Sequence, residues 1–189
     1  IAAACKRTGT LLIADEVQTG SGRTGTFIHS RTIGLEPDLI ALGKALGAGV
    51  PIGASLVSRD VAAAAAPGDH GSTYGGNLLA CRAALTFLDA LDGGLQDAIS
   101  RVSAHLFSAL RGLAARHPET VVDVRGAGLL AGIELNRDAA DLVAAALEKG
   151  LLVNRTATNV VRLLPPYIVS ESDVNEAVAI LDSVLMGRG

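Results

Sequence analysis

Two short apolar runs, Leu11-Leu-Ile-Ala14 and Leu39-Ile-Ala-Leu42, each stop at charged residues and a glycine-bearing turn. The first follows Thr8-Gly9-Thr10 and leads into Asp15-Glu16-Val17-Gln18-Thr-Gly20; the second follows Asp38 and ends at Gly43-Lys44. Four apolar residues between turn signals read as a short buried strand. The polar residues then fall at the strands' C-terminal ends, where open α/β sheets bind ligands. If the two strands are neighbours, Asp15 and Lys44 share one sheet edge.

Lys44 follows an apolar stretch and precedes Ala-Leu-Gly-Ala-Gly, surroundings that offer an amine little structural work. Desolvation would lower its pKa and free the amine to form a Schiff base with a carbonyl. Against this stands a lysine that snorkels from a strand end to water. Asp15 could accept a hydrogen bond from a protonated ring nitrogen, or be an N-cap or turn aspartate before Gly20-Ser-Gly22-Arg-Thr-Gly25. A third segment, His70-Gly-Ser72-Thr73-Tyr74-Gly-Gly-Asn77, precedes a helical pattern from Leu78. Hydroxyls and free amides ahead of a helix suit a phosphate, though the same loop could be a plain helix-entry turn.

Taken together, Ala14-Asp-Glu-Val-Gln-Thr-Gly-Ser-Gly-Arg-Thr-Gly25, Leu42-Gly-Lys-Ala-Leu-Gly47 and His70-Gly-Ser-Thr-Tyr-Gly-Gly-Asn77 closely resemble the class III (ornithine-type) aminotransferases of pyridoxal phosphate (PLP) fold type I. The resemblance covers essentially the whole chain. It implies that Asp15 pairs with the pyridine nitrogen, Val17 packs on the ring face, Gln18 hydrogen-bonds the ring hydroxyl, and Lys44 holds the cofactor as a Schiff base. Ser72 and Thr73 would contact the phosphate of the partner's cofactor across a homodimer interface. Glu16 and Arg23 would hold the loop through ion pairs or hydrogen bonds.

Farther along, Asn159-Val-Val-Arg162-Leu-Leu-Pro165-Pro166 sets an arginine in an apolar strand before a Pro-Pro stop. A permanently charged guanidinium there calls for an acid, either a structural one such as Glu134 or a substrate's. The family motif implies the substrate role, a grip on the α-carboxylate of glutamate or 2-oxoglutarate. Residues 150–166 look most like the acetylornithine-type members of the class. The implied reaction is ping-pong transamination between an ω-amino donor, N-acetylornithine, and 2-oxoglutarate, giving the semialdehyde and glutamate in arginine biosynthesis. Alternatives are another class III ω-aminotransferase acting on ornithine or 4-aminobutyrate, glutamate-1-semialdehyde aminomutase, and a non-catalytic folded fragment. Gln18 speaks against the aminomutase, which usually has methionine at the matching place.

The resemblance implies an α/β fold: the C-terminal part of the large PLP-binding domain with a mostly parallel sheet in residues 1–92, then a small α+β C-terminal domain in residues 93–189. The chain has 189 residues and opens on Ile1-Ala-Ala-Ala-Cys5. Family members are about twice as long, so it is expected to be the C-terminal half only, lacking part of the site. In detail, helices are expected over residues 78–91, 95–116, 138–149 and 171–185, a hairpin over residues 121–135, and strands over residues 151–154 and 160–164.

No apolar run approaches the roughly 18 residues that span a bilayer, and no leader pattern is visible. A net charge of −3 gives no broad basic field for nucleic acid. A cytoplasmic enzyme is expected, without membrane or nucleic-acid partners. Cys5 and Cys81 show no C-x-x-C and the four histidines no metal-ligand spacing, so both cysteines are expected reduced and buried and no metal site is assigned. His70, beside the phosphate-like loop, is expected to serve loop structure rather than acid-base chemistry.

Overall fold

The computed structural model describes residues 1–187, which form two compact units. The first comprises Ile1–Gly22 and Thr26–Gln96; the second comprises Arg23–Gly25 and the chain from Asp97 onward.

In the first unit, β1 (Ile13–Asp15), β2 (Leu39–Leu42) and β3 (Ala54–Val57) form a sheet in sequence order. β1 and β2 are parallel, with Ile13 opposite Leu39 and Asp15 opposite Ala41. β2 and β3 are antiparallel, with Leu42 opposite Ala54. The sheet is therefore mixed rather than mostly parallel, because β3 returns after the Lys44 turn without a crossover helix. β1 also starts later than the apolar run suggests, and Leu11 and Ile13 are exposed. As an edge strand, β1 has a partner on one side only.

Helices α1 (Ala2–Thr8), α2 (His29–Thr32), α3 (Arg59–Ala64) and α4 (Leu78–Ala90) complete this unit. Asn77 starts α4 by accepting the Ala80 N–H on its side-chain oxygen at 2.9 Å. Ile28, Leu42, Leu46 and Ala84 form its core, joined by Ile40, Ile52, Ala54 and Leu88. The end of β2, the turn after it and α4 thus share one apolar cluster, so the segment carrying Lys44 is fixed from beneath. A π turn over Leu91–Leu95 follows α4, and Gly94 departs from helical geometry there.

The second unit holds α5 (Gln96–Arg116), β4 (Val121–Ala127), β5 (Leu130–Leu135), α6 (Ala140–Glu148), β6 (Asn154–Thr156), β7 (Val160–Leu163) and α7 (Glu171–Met186). The strands form an antiparallel sheet in the order β4-β5-β7-β6. Alternate residues Ala131, Ile133 and Leu135 of β5 are buried, as a sheet with one covered face requires. α5 buries Ile99, Leu106, Leu110 and Leu113 at helical spacing, and α7 buries Val174, Val178, Leu181 and Leu185. Each such side chain is worth about 2 kcal/mol. Ser170 and Asp173 form a reciprocal capping box that starts α7. His117 Nε2 lies 2.5 Å from Asp182 Oδ1 and Arg116 Nη2 lies 3.1 Å from Asp182 Oδ2, tying the end of α5 to α7.

The expected strand at residues 151–154 lies instead at Asn154–Thr156, and Leu152 is 84% exposed. Pairing decides this: Asn154 faces Arg162 and Thr156 faces Val160, while Leu151 and Val153 line an apolar hollow beside Leu163 and Pro165. Cys5 and Cys81 are free thiols, half-buried rather than buried.

Candidate active site

β1 and β2 run parallel and end level with each other, and the chemistry-bearing residues of the first unit follow from that. Asp15 is the last residue of β1 and exposed. Its Oδ1 accepts the Val17 N–H at 3.1 Å, a local turn that leaves the other carboxylate oxygen available. The partner strand continues from Ala41 through Leu42 and Gly43 to Lys44. Asp15 and Lys44 therefore lie at the same end of adjacent strands.

Lys44 opens a 3-10 turn, Lys44–Gly47, and its side chain is exposed rather than buried. Its φ of 44° is in the left-handed region, which costs a non-glycine residue about 1–2 kcal/mol. Gly43 explains how the turn is held. A β-carbon on Gly43 would sit 3.4 Å from both Val17 Cγ1 and the Ile52 carbonyl oxygen. Hydrogen at that position admits Val17 closely against the backbone just before Lys44. Asp15, Val17 and Lys44 are thus assembled around one turn; Gln18 is half-buried in the loop after Val17.

Glu16, between Asp15 and Val17, is 3% exposed. Its two oxygens accept the His29 N–H at 2.6 Å and the Ser30 N–H at 2.7 Å, so it satisfies the first amides of α2. Sequence reasoning gave Glu16 a holding role without naming its partners.

Ser72 and Thr73 lie on the exposed loop before α4. Ser72 Oγ accepts the Gly75 N–H at 2.9 Å. Ser72, Gly75, Gly76 and Asn77 border a cavity of about 440 Å³ whose other wall includes Ile52 and Gly53. Ile52 also packs against Gly47, so one residue links the Lys44 turn to this cavity.

Arg162 belongs to the second unit, in the middle of that sheet. Its cross-strand partners are Gly132 on β5 and Asn154 on β6. Its Nε is buried without a hydrogen-bond partner among the described residues. Glu134, the structural acid considered for Arg162, faces Val160 instead, and its carboxylate takes Arg125 Nη1 and Asn159 Nδ2. Hydrogen bonding from Arg125, above all, holds the Glu134 carboxyl below the ordinary carboxylate range. A buried guanidinium nitrogen without a protein partner leaves a donor for water or an acid to satisfy.

Arg23 extends its guanidinium to the Leu129 and Pro165 carbonyls and lies over Tyr167. The loop-holding role expected of Arg23 thus has partners more than a hundred residues away, which no local pattern signals. Among the described residues no group of His, Cys, Asp and Glu could hold a metal ion, and no helix is long and apolar enough to cross a membrane.

Known proteins match this chain along nearly its full length. Residues 1–185 match the family described as aminotransferase class-III. Acetylornithine aminotransferase of Aquifex aeolicus is 45% identical over 181 residues, which are 96% of this chain and 46% of that protein. Among solved structures, acetylornithine aminotransferase from Elizabethkingia anophelis has a TM-score of 0.87 at 35% identity, covering 98% of this chain and 48% of that one. The ornithine aminotransferase of Toxoplasma gondii, crystallised with PLP partially occupying its active site, has a TM-score of 0.87 at 35% identity and covers 98% of this chain and 45% of that one. The chain spans about half the length of the relatives it matches. It belongs to the class III aminotransferases, a PLP-dependent family.

Proposed function

We propose that the protein transfers the ω-amino group of N-acetylornithine to 2-oxoglutarate, giving the semialdehyde and glutamate, as a cytoplasmic step of arginine biosynthesis. The observation that carries this reading is the parallel β1–β2 pair, which brings an amine and a carboxylate, Lys44 and Asp15, to one strand end with Val17 against Gly43. The acetylornithine aminotransferase relative at 45% identity supports the choice of donor.

The residues present fit PLP. An exposed lysine amine can bind an aldehyde, a carboxylate with one free oxygen can pair with a ring N–H, and Gly43 leaves Val17 the room to lie beside the lysine turn. On this reading Lys44 holds the cofactor through Nζ, Asp15 pairs with its ring nitrogen, Val17 packs on its face, and Gln18 meets its hydroxyl. Ser72 and Thr73 serve the phosphate of the partner's cofactor in a homodimer. When bound, PLP supplies an aldehyde that exchanges amines and a cationic ring that accepts electrons from the substrate carbon.

The chain's own side chains do the rest. Lys44 Nζ, as a free amine, would take the proton from the donor's ω-carbon and hold it for return to the reacting atoms. Asp15, as a carboxylate, keeps the ring nitrogen's proton in place. Arg162 binds the α-carboxylate of 2-oxoglutarate and orients it for the return half-reaction. Residues 1–92 then belong to a cofactor-binding large domain and residues 93–189 to a small α+β domain.

A second reading, ornithine as donor, is favoured by the match to the Toxoplasma gondii ornithine aminotransferase. Single-turnover mixing of the PLP-loaded full-length protein with N-acetylornithine, ornithine or 4-aminobutyrate separates them. N-acetylornithine is expected to discharge the cofactor's visible band fastest. Faster discharge by ornithine would replace the donor, and no discharge by any amine would overturn the transaminase reading.

A further inference from the structure

We propose that Arg23 is a positioning residue for Arg162, holding open the end of the β5–β7 ladder so that the Arg162 guanidinium stays set for the carboxylate of a 2-oxo acid. The proposal rests on the reading of Arg162 given above.

The argument begins with a ladder that cannot continue. β5 and β7 are antiparallel with Ala131 opposite Leu163 and Gly132 opposite Arg162. Carried on by the same register, Leu129 would face Pro165. Proline has no N–H, so the Leu129 carbonyl has no ladder donor there, and because the Leu129 N–H goes to the Arg23 carbonyl the Pro165 carbonyl has none either. Arg23 fills that place. Its Nη1 donates to the Pro165 carbonyl at 2.6 Å and to the Leu129 carbonyl at 3.1 Å, bridging both strands with one nitrogen. The Leu129 N–H in turn donates to the Arg23 carbonyl at 2.8 Å. Below, the guanidinium carbon lies 4.3 Å from the Tyr167 ring centroid, so the plane is fixed as well as the charge.

Gly128 makes the approach possible. At φ 60° it meets Arg23–Gly25 so closely that a β-carbon would overlap the Arg23 carbonyl oxygen and the Thr24 carbonyl carbon. The Arg23 backbone is thereby pressed onto the hairpin corner while its side chain reaches the other strand's end.

Arg162 lies one pair in from the braced end of this ladder, three residues before Pro165 and opposite a glycine three residues after Leu129. Gly132, opposite Arg162, has no side chain to prop the guanidinium, and the buried Arg162 Nε has no hydrogen-bond partner among the described residues. Its aim therefore depends on the strand beneath it, and the strand's end depends on Arg23. A misplacement of an ångström in a substrate-holding group can cost about a hundredfold in rate.

The test uses the PLP-loaded full-length protein, 2-oxoglutarate as substrate and glutarate as a non-reacting dicarboxylate inhibitor. Arg162→Ala is expected to raise the KM for 2-oxoglutarate and the Ki for glutarate about a hundredfold. Arg23→Lys keeps the charge but loses the flat fork over Tyr167, and is expected to raise both about tenfold. Its half-reaction with the amino donor should stay within about twofold, which a general loss of folding would not allow. The double variant should be no weaker than Arg162→Ala alone, since Arg23 acts through Arg162. Tyr167→Leu, which keeps the carbonyl bonds, should give a smaller change in the same direction and stands in if Arg23→Lys does not fold. Ordinary glutarate binding by Arg162→Ala would overturn the reading of Arg162 itself. Weak binding by Arg162→Ala with ordinary binding by Arg23→Lys and Tyr167→Leu, or additive losses in the double variant, would overturn the positioning role alone.

Discussion

Asp15 closes its strand in register with Ala41, and Lys44 opens the turn that follows that partner strand. The two are held at one sheet edge by backbone pairing rather than by any contact between their side chains. Each can therefore be altered without dismantling the other's support.

Replacement of Lys44 by alanine removes the amine but keeps the turn, whose packing rests on Leu46, Gly47 and Ile52. Turnover is expected to fall about 10⁴-fold or more, with loss of the cofactor's visible band and a Tm within a few degrees of the parent. Retention of the band by Lys44→Ala would remove Lys44 from the site.

Asp15→Asn isolates charge from shape. Asparagine can still accept the Val17 N–H, so the loop should hold, while the negative charge is gone. The expected result is a fall in kcat of about a hundredfold or more without loss of bound cofactor. An unchanged kcat would make Asp15 a turn residue and nothing else.

Glu16→Ala strands two amides at the start of α2 in a buried place. A loss of about 2 kcal/mol is expected in urea unfolding. Glu16→Gln, which can satisfy one amide with its carbonyl oxygen, should lose less; equal losses would mean that the side chain's bulk, not its acceptors, matters.

Asp182 gives the second unit a dependence on acid. The hydrogen bond from His117, with Arg116 as the lesser contributor, holds its carboxyl below the ordinary carboxylate range. A carboxyl with a depressed folded pKa stabilises above its unfolded value, about 4, and that contribution is lost as the pH falls through the folded value. Asp182→Asn should therefore be less stable than the parent by about 1 kcal/mol near neutrality, with the gap closing below about pH 4. A gap that persists to low pH would show that the loss is not electrostatic.

What could be read from the sequence was whatever the local chain decides. Gly126-Ala-Gly128 between alternating runs announced the β4–β5 hairpin, and Ser170 with Asp173 announced the start of α7, because turns and caps are made by the residues that signal them. The order of strand, Asp15, strand, Lys44 was legible for the same reason. What depended on distant partners was not. β6 takes its place from β7's register, against the pull of the apolar Leu151-Leu-Val153. β3 reverses the sheet's direction with only Ala54-Ser-Leu-Val57, too short to announce itself. α1 and α2 passed unnoticed, since α2 is one turn whose start is capped by Glu16, thirteen residues earlier. Lys44 was expected buried because its neighbours are apolar, yet a side chain's exposure is set by what covers the sheet end and not by the run that precedes it.

The three residues Arg23–Gly25 also mean that the second unit is not written as one stretch of gene. A cut between Gln96 and Asp97 would free a polypeptide whose hairpin corner at Gly128 has lost its covering strip and whose Pro165 carbonyl has lost its donor. Any circular permutation or split of the protein that aims to keep this unit whole must carry that short peptide along with it.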